Sequence, residues 1–107
     1  MSQLIDVYET IQERQRSGSP EASYVSKLTH KGLNAILKKV GEEATEVVLA
    51  AKDGDRQGQI HEITDLVFHL LVLMAHQGIS PKDIDAELQR RHGKSGLVEK
   101  AERSATS

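Results

Sequence analysis

Two carboxylate pairs have a spacing that chemistry can use: Glu43-x-x-Glu46, with Glu42 beside it, and Glu62-x-x-Asp65. Residues three apart are neighbours on a helix surface, and like charges so placed destabilise a helix by about 0.2–0.5 kcal/mol per pair. Glu42/Glu46, Glu43/Glu46 and Glu62/Asp65 all carry that repulsion. Lys39 offsets the first group, from the N-terminal side, which is the weaker orientation. With about 100° per residue and Glu43 at zero, Lys39 falls near −40°, Glu46 near −60° and Glu42 near −100°. The apolar residues of the same stretch lie between about +20° and +140°, so the acids form a stripe flanking the buried face.

The second pair behaves alike. With Glu62 at zero, Asp65 falls near −60° and His69 near −20°, at about 100° per residue. A single acidic pair reads first as a solvated surface. Two pairs on consecutive helices, packed antiparallel through their apolar faces, can converge at one rim, and four or five carboxylates at one rim call for a cation. Oxygen donors without thiolates suit Mg²⁺, which takes one or two carboxylates and leaves other positions to water and phosphate. Such an ion polarises phosphate oxygens and acidifies a water, with a carboxylate outside its ligand set as general base. The chemistry is phosphoryl or nucleotidyl transfer to water.

The other reactive types narrow this further. There is no cysteine, which removes disulfides, thiolate nucleophiles and cysteine zinc sites. His61, His69 and His76 share one stretch with the second acid pair, but no histidine follows a glutamate by three residues, so a ferritin-like di-iron centre is excluded. His69, one turn after Asp65, reads either as a group that orients that carboxylate or as a buried structural histidine. Gly93-Lys94-Ser95-Gly96 lacks the earlier glycine of a phosphate loop, since position 88 is Leu88. It either touches phosphate through Lys94 and backbone N–H groups or serves as a flexible helix end.

The elements that must position these residues are helical. Leu4, Ile5, Tyr8 and Ile11 mark a first amphipathic helix ending near Ser17-Gly18. Ser19-Pro20-Glu21 reads as an N-cap with proline at the first helical position, opening a short segment that stops at Gly32. Ile36, Leu37, Val40, Ala44, Val47, Val48 and Ala51 define a long helix from about Leu33 to Lys52. Another runs from about Gln57 to Gln77 and is apolar almost all round. Such a helix must be covered on every side, which predicts a homodimer built across it. Ser80-Pro81-Lys82-Asp83 caps a last helix that ends at His92-Gly93. No stretch alternates with a period of two. The prediction is an all-α, compact bundle of four to five helices, one domain over 1–107 with a polar tail from 104, completed by homodimerisation.

Net charge is −2 with signs interspersed, and no basic face exists for a nucleic-acid backbone. No signal peptide is visible, and the apolar run Leu66–Ala75 is about half the length a bilayer span needs. A cytoplasmic enzyme with a small-molecule partner is expected, without membrane or nucleic acid.

At the acid pairs a resemblance enters. Glu-x-x-Glu followed by Glu-x-x-Asp resembles the metal signature of the all-α, MazG-like nucleoside-triphosphate pyrophosphohydrolases. Ser23-Tyr24-Val25, Lys27-Leu28, Gly32 and Lys39-Val40-Gly41-Glu42-Glu43-Ala44-x-Glu46 are similar to the phosphoribosyl-ATP pyrophosphatase family. So are Glu62-x-x-Asp65-Leu66-Val67-Phe68-His69-Leu70-Leu71-Val72-Leu73, Arg91-His92-Gly93 and Ser95-Gly96-Leu97-x-Glu99-Lys100. The resemblance implies Mg²⁺-dependent hydrolysis of phosphoribosyl-ATP to phosphoribosyl-AMP and pyrophosphate, the second step of histidine biosynthesis. It implies Glu43, Glu46, Glu62 and Asp65 as metal ligands, Glu42 as a further ligand or the base, and Lys39 against the triphosphate. Lys94 and Ser95 are expected to contact substrate. It also implies a phosphoribosyl-AMP cyclohydrolase on a separate chain, since none precedes Leu4. Two other readings stand beside it: a house-cleaning pyrophosphatase of noncanonical nucleotides, and a non-catalytic helical interaction module. Gly41, a helix-interior glycine costing up to about 1 kcal/mol, suggests close approach by a helix or substrate, or a tolerated glycine.

Overall fold

Every stretch with helical periodicity forms a helix in the computed structural model, which describes residues 2–94 and 96–106. Six α-helices and no strand occur among the described residues: α1 (Ser2–Ser17), α2 (Tyr24–Lys31), α3 (Leu33–Asp53), α4 (Arg56–Gln77), α5 (Pro81–Arg91) and α6 (Gly96–Thr106). The all-α prediction holds, with one helix more than the four to five expected.

α1 ends where the sequence placed its end, and Gly18 has a steric reason to be there. A Cβ at Gly18 would overlap the side chain of Ser26 and crowd the Arg14 carbonyl. Ser26, itself buried, donates from Oγ to that carbonyl at 2.9 Å, so the chain leaving α1 lies directly against α2. α2 starts later than predicted. Ser19 is not its cap: the Ala22 N–H bonds the Ser19 carbonyl at 3.0 Å, making Ser19–Ala22 a turn with Pro20 in its second position. The fixed φ of proline suits a turn there as well as a helix start. The actual N-cap is Ser23, whose Oγ accepts from the Ser26 N–H at 3.0 Å. Gly32, at φ 100°, closes α2 and opens α3 in one residue, a conformation that L side chains rarely adopt.

α3 and α4, joined across Gly54-Asp55, form the most extensively packed helix pair. Ile36 of α3 and Val72 of α4 are fully buried, with Tyr8 and Ile11 of α1, Val25 and Leu28 of α2 and Leu71 completing the core. The core therefore collects around the second half of α4, while Ile60, Ile63 and Leu70 remain exposed. No single helix among the described residues is long and apolar enough to cross a membrane.

Polar ties hold α1 to the far end of α4. The Tyr8 hydroxyl donates to the Ile79 carbonyl at 2.7 Å and Gln15 Nε2 to the Val72 carbonyl at 3.2 Å. Tyr8 is buried, so Tyr8→Phe leaves that carbonyl without its partner and is expected to cost about 1–2 kcal/mol of stability, read as a lower urea midpoint with an unchanged m-value.

The Ser80 capping box is present as read from sequence: Ser80 Oγ accepts from the Asp83 N–H and the Asp83 carboxylate from the Ser80 N–H at 2.8 Å. α6 was not foreseen, and the polar tail expected from 104 is helical as far as Thr106. Leu97, Val98 and Ala101 recur at helical spacing but bury little, with Leu97 83% exposed. Charge links it to the preceding turn instead: Glu102 takes Lys94 at 2.7 Å and Arg90 at 3.5 Å. Hydrogen bonds from Arg90 and Arg91 hold the neighbouring Glu87 carboxyl down at about 2.

Candidate active site

The helical hairpin of α3 and α4 presents the acids that the sequence singled out. On α3, Lys39 Nζ lies 3.3 Å from the Glu43 carboxylate and 3.7 Å from that of Glu42. The Glu43 side chain is only 12% exposed against 51% for Glu42. Burial works against the charge on Lys39, but the hydrogen bond to Glu43 and the negative field of its neighbours outweigh it and raise its pKa above the ordinary lysine value. Lys39 is a fixed cation at neutral pH.

On α4, Glu62 and Asp65 come together with His61, their ligand atoms all within 4.8 Å of one another. His61, one turn before Asp65, has Nε2 3.5 Å from Asp65 Oδ2, an ion pair whenever that ring is protonated. Of the two readings of His69, the structure bears out the second: its Nδ1 bonds the Asp65 backbone carbonyl at 2.8 Å rather than the carboxylate, and the ring is 6% exposed. His69 is the buried structural histidine of the two readings. The i, i+4 spacing of His61 and Asp65 was available as a signal, since such pairs share a helix face.

Tyr24 of α2 reaches α4. Its hydroxyl lies 2.7 Å from His69 Nε2, and its ring packs against Phe68 (centroids 6.3 Å apart) and edge-on to His69 (5.7 Å). A carbonyl only accepts, so His69 Nδ1 carries the proton toward Asp65, and Nε2 accepts from the Tyr24 hydroxyl. Burial raises the Tyr24 pKa, Lys39 pulls it the other way, and the charges of Glu43, Asp65 and Glu42 add to the rise. One phenol thus feels acids from both helices. Glu42 and Glu43 of α3 and Asp65 of α4 thus lie near enough to one phenol to bear on its charge, and this edge of the hairpin is the rim meant below.

Not every sequence candidate joins that rim. Glu46 is exposed on α3 and belongs neither to the Lys39 pairs nor to the α4 cluster. Lys94 pairs with Glu102 of α6 at 2.7 Å, and no described contact carries it to the acids. Ser95 lies outside the described residues. A Cβ added at Gly41 would meet no atom within 4 Å, so among the described residues no helix makes the close approach that was one of the readings there.

An all-α fold whose hairpin carries Glu42 and Glu43 with Lys39 on one helix and Glu62 with Asp65 on the next belongs to a class suited to hard cations and the polyphosphates they accompany. The comparisons narrow that class. A family model described as phosphoribosyl-ATP pyrophosphohydrolase matches residues 4–92. A phosphoribosyl-ATP pyrophosphatase of Methylibium petroleiphilum is 61% identical over 87 residues, covering 81% of this chain and 72% of that protein. One from Geobacter sulfurreducens is 53% identical over 98 residues, 92% of this chain and 90% of the relative. One from Albidiferax ferrireducens is 54% identical over 97 residues, 87% and 75% respectively. The chain belongs to the phosphoribosyl-ATP pyrophosphohydrolase family.

Proposed function

We propose that this chain hydrolyses phosphoribosyl-ATP to phosphoribosyl-AMP and pyrophosphate, the second step of histidine biosynthesis, as one cytoplasmic domain that works as a homodimer with Mg²⁺. The observation that carries the reading is that the family match spans the whole α3–α4 hairpin and so covers every carboxylate of the rim. Release of pyrophosphate requires cleavage between the α- and β-phosphates, so an acceptor water and a charge-neutralising group must both reach that bond.

The donor set fits a hard divalent cation. Glu43, Glu62 and Asp65 offer carboxylate oxygens, with Glu46 as a further ligand only where its exposed side chain turns in; such oxygens suit Mg²⁺, whereas an imidazole nitrogen such as that of His61 suits softer metals. His61 is better placed to orient Asp65 than to ligate. When bound, Mg²⁺ supplies neutralisation of phosphate oxygens and a more acidic water. Lys39, held cationic beside Glu43, meets the negative charge of the triphosphate. Glu42, the most exposed acid of the Lys39 group, is free to act as general base or as a further ligand. Lys94 is kept as a substrate contact of this reading, reached by exchanging its Glu102 partner for phosphate, and Ser95 beside it in sequence is proposed with it.

The homodimer rests on an apolar face that the chain leaves uncovered. Ile60, Ile63 and Leu70 on α4 and Leu37, Val48 and Leu49 on α3 are all exposed. Leu37, Gly41 and Val48 fall within about 40° of one another on the helical wheel, so the open space at Gly41 lies in this same face. A second copy applied here supplies the close approach that no helix of this subunit makes.

The function is tested by measuring Mg²⁺-dependent pyrophosphate release from phosphoribosyl-ATP beside dUTP and other simple triphosphates. Turnover of phosphoribosyl-ATP alone is expected. Activity confined to simple triphosphates would favour the house-cleaning reading and end this one.

A further inference from the structure

α2 packs mainly on α1 and α3. Val25 and Leu28 share the apolar core with Leu71 and Val72 of α4, and at its first residue Tyr24 adds a polar link, reaching the buried ring of His69. The same tyrosine lines a cavity of about 650 Å³ with Pro20, Glu21, Ser23 and Lys27. It therefore touches two places at once: the cavity on one side, and on the other the turn of α4 that carries Asp65.

We propose that Tyr24 is a positioning residue, which acts through His69 to set the cavity at the start of α2 against the Asp65 turn of α4, so that a nucleotide whose non-reacting part sits in the cavity presents its triphosphate to the acidic rim. This rests on the hydrolysis proposed above and adds to it how the reacting bond is aimed. The chain of contacts is continuous. The Tyr24 hydroxyl donates to His69 Nε2 at 2.7 Å, and His69 Nδ1 donates to the Asp65 carbonyl at 2.8 Å. Phe68 and the edge-on His69 ring pack against the phenol and fix its plane from the side. Lys27, one turn along α2, supplies the cavity with a cation for a phosphate on the substrate's far end. The core holds these helices together, and the hydrogen bond sets how their ends meet beside the site, where displacement of about 1 Å at a reacting centre can cost a hundredfold in rate.

Four proteins decide the matter: the wild type, Tyr24→Phe, His69→Gln and the double variant. Each is assayed for kcat and KM on phosphoribosyl-ATP well below its melting temperature, and for Mn²⁺ affinity without substrate. Tyr24→Phe keeps the ring packing and is expected to lower kcat at least about tenfold. Mn²⁺ affinity is expected to change by much less than the tenfold or more that follows loss of a metal ligand's own support. Because both residues act along one chain, the double variant should be no slower than the slower single. Should Tyr24→Phe fail to fold, His69→Gln carries the same criteria alone.

A lowered melting temperature with unchanged kcat and KM reduces Tyr24 to packing and overturns the proposal. Additive losses in the double variant overturn the route through His69. A wild type inactive on phosphoribosyl-ATP removes the proposed function itself. An active wild type with a fully active Tyr24→Phe sinks only the positioning role.

Discussion

Glu43→Gln is expected to lower kcat on phosphoribosyl-ATP by at least about a hundredfold with the fold retained. Glutamine keeps the shape and removes the charge at the least exposed acid of the α3 group, 12% exposed beside Lys39. The effect on stability is small because two terms oppose. The ion pair with Lys39 at 3.3 Å is lost, and so is repulsion toward Glu46 one turn on. Each is worth a few tenths of a kcal/mol, so the net change stays within about 0.5 kcal/mol. The combination is diagnostic. Pyrophosphate release and thermal melts on the same sample separate an enzyme, which loses turnover and keeps its melting temperature, from a helical interaction module, which loses nothing. A Glu43→Gln variant with wild-type turnover would remove this acid from the reaction.

The second large effect is expected at Ile63, in the middle of the uncovered face of α4 and 48% exposed in the single chain. If a second copy covers that face, Ile63→Asp places an unpaired carboxylate in an apolar interface, which costs several kcal/mol. At about 4–8 °C per kcal/mol for a domain of this size, the melting temperature should fall by at least about 10 °C. Sedimentation equilibrium should show a dimer for the wild type and a monomer for the variant. In an isolated monomer the same substitution would swap an exposed isoleucine for an exposed aspartate, with an effect within about 0.5 kcal/mol. A wild type that sediments as a monomer would leave the apolar face of α3 and α4 without this explanation.

Local rules were legible where neighbouring residues set the outcome. The capping box at Ser80, the end of α1 at Ser17 and the end of α4 before Gly78 depend on side chains within a few positions, and all stand where the pattern put them. Ser19-Pro20 went differently for a reason just as local: proline serves a turn and a helix start equally, and Ser23, four residues on, offers the better cap. α6 escaped notice because charges on Lys94 and Arg90, more than an apolar stripe, tie it to the chain before it.

The site divides along the same line. Glu42, Glu43 and Lys39 share a face because the helix repeats every 3.6 residues, and Glu62 with Asp65 likewise; the sequence alone determined both stripes, and its likeness to one family of pyrophosphohydrolases besides. Only the tertiary structure decided what stands between them. Tyr24 and His69 are 45 positions apart, and no periodicity relates them. Their hydrogen bond exists because α2 lies across the hairpin and drops a phenol beside a buried ring whose other nitrogen the Asp65 carbonyl already holds. A helix dictates which of its own residues are neighbours. Packing dictates which helices meet, and through them which residue of a third helix reaches the rim.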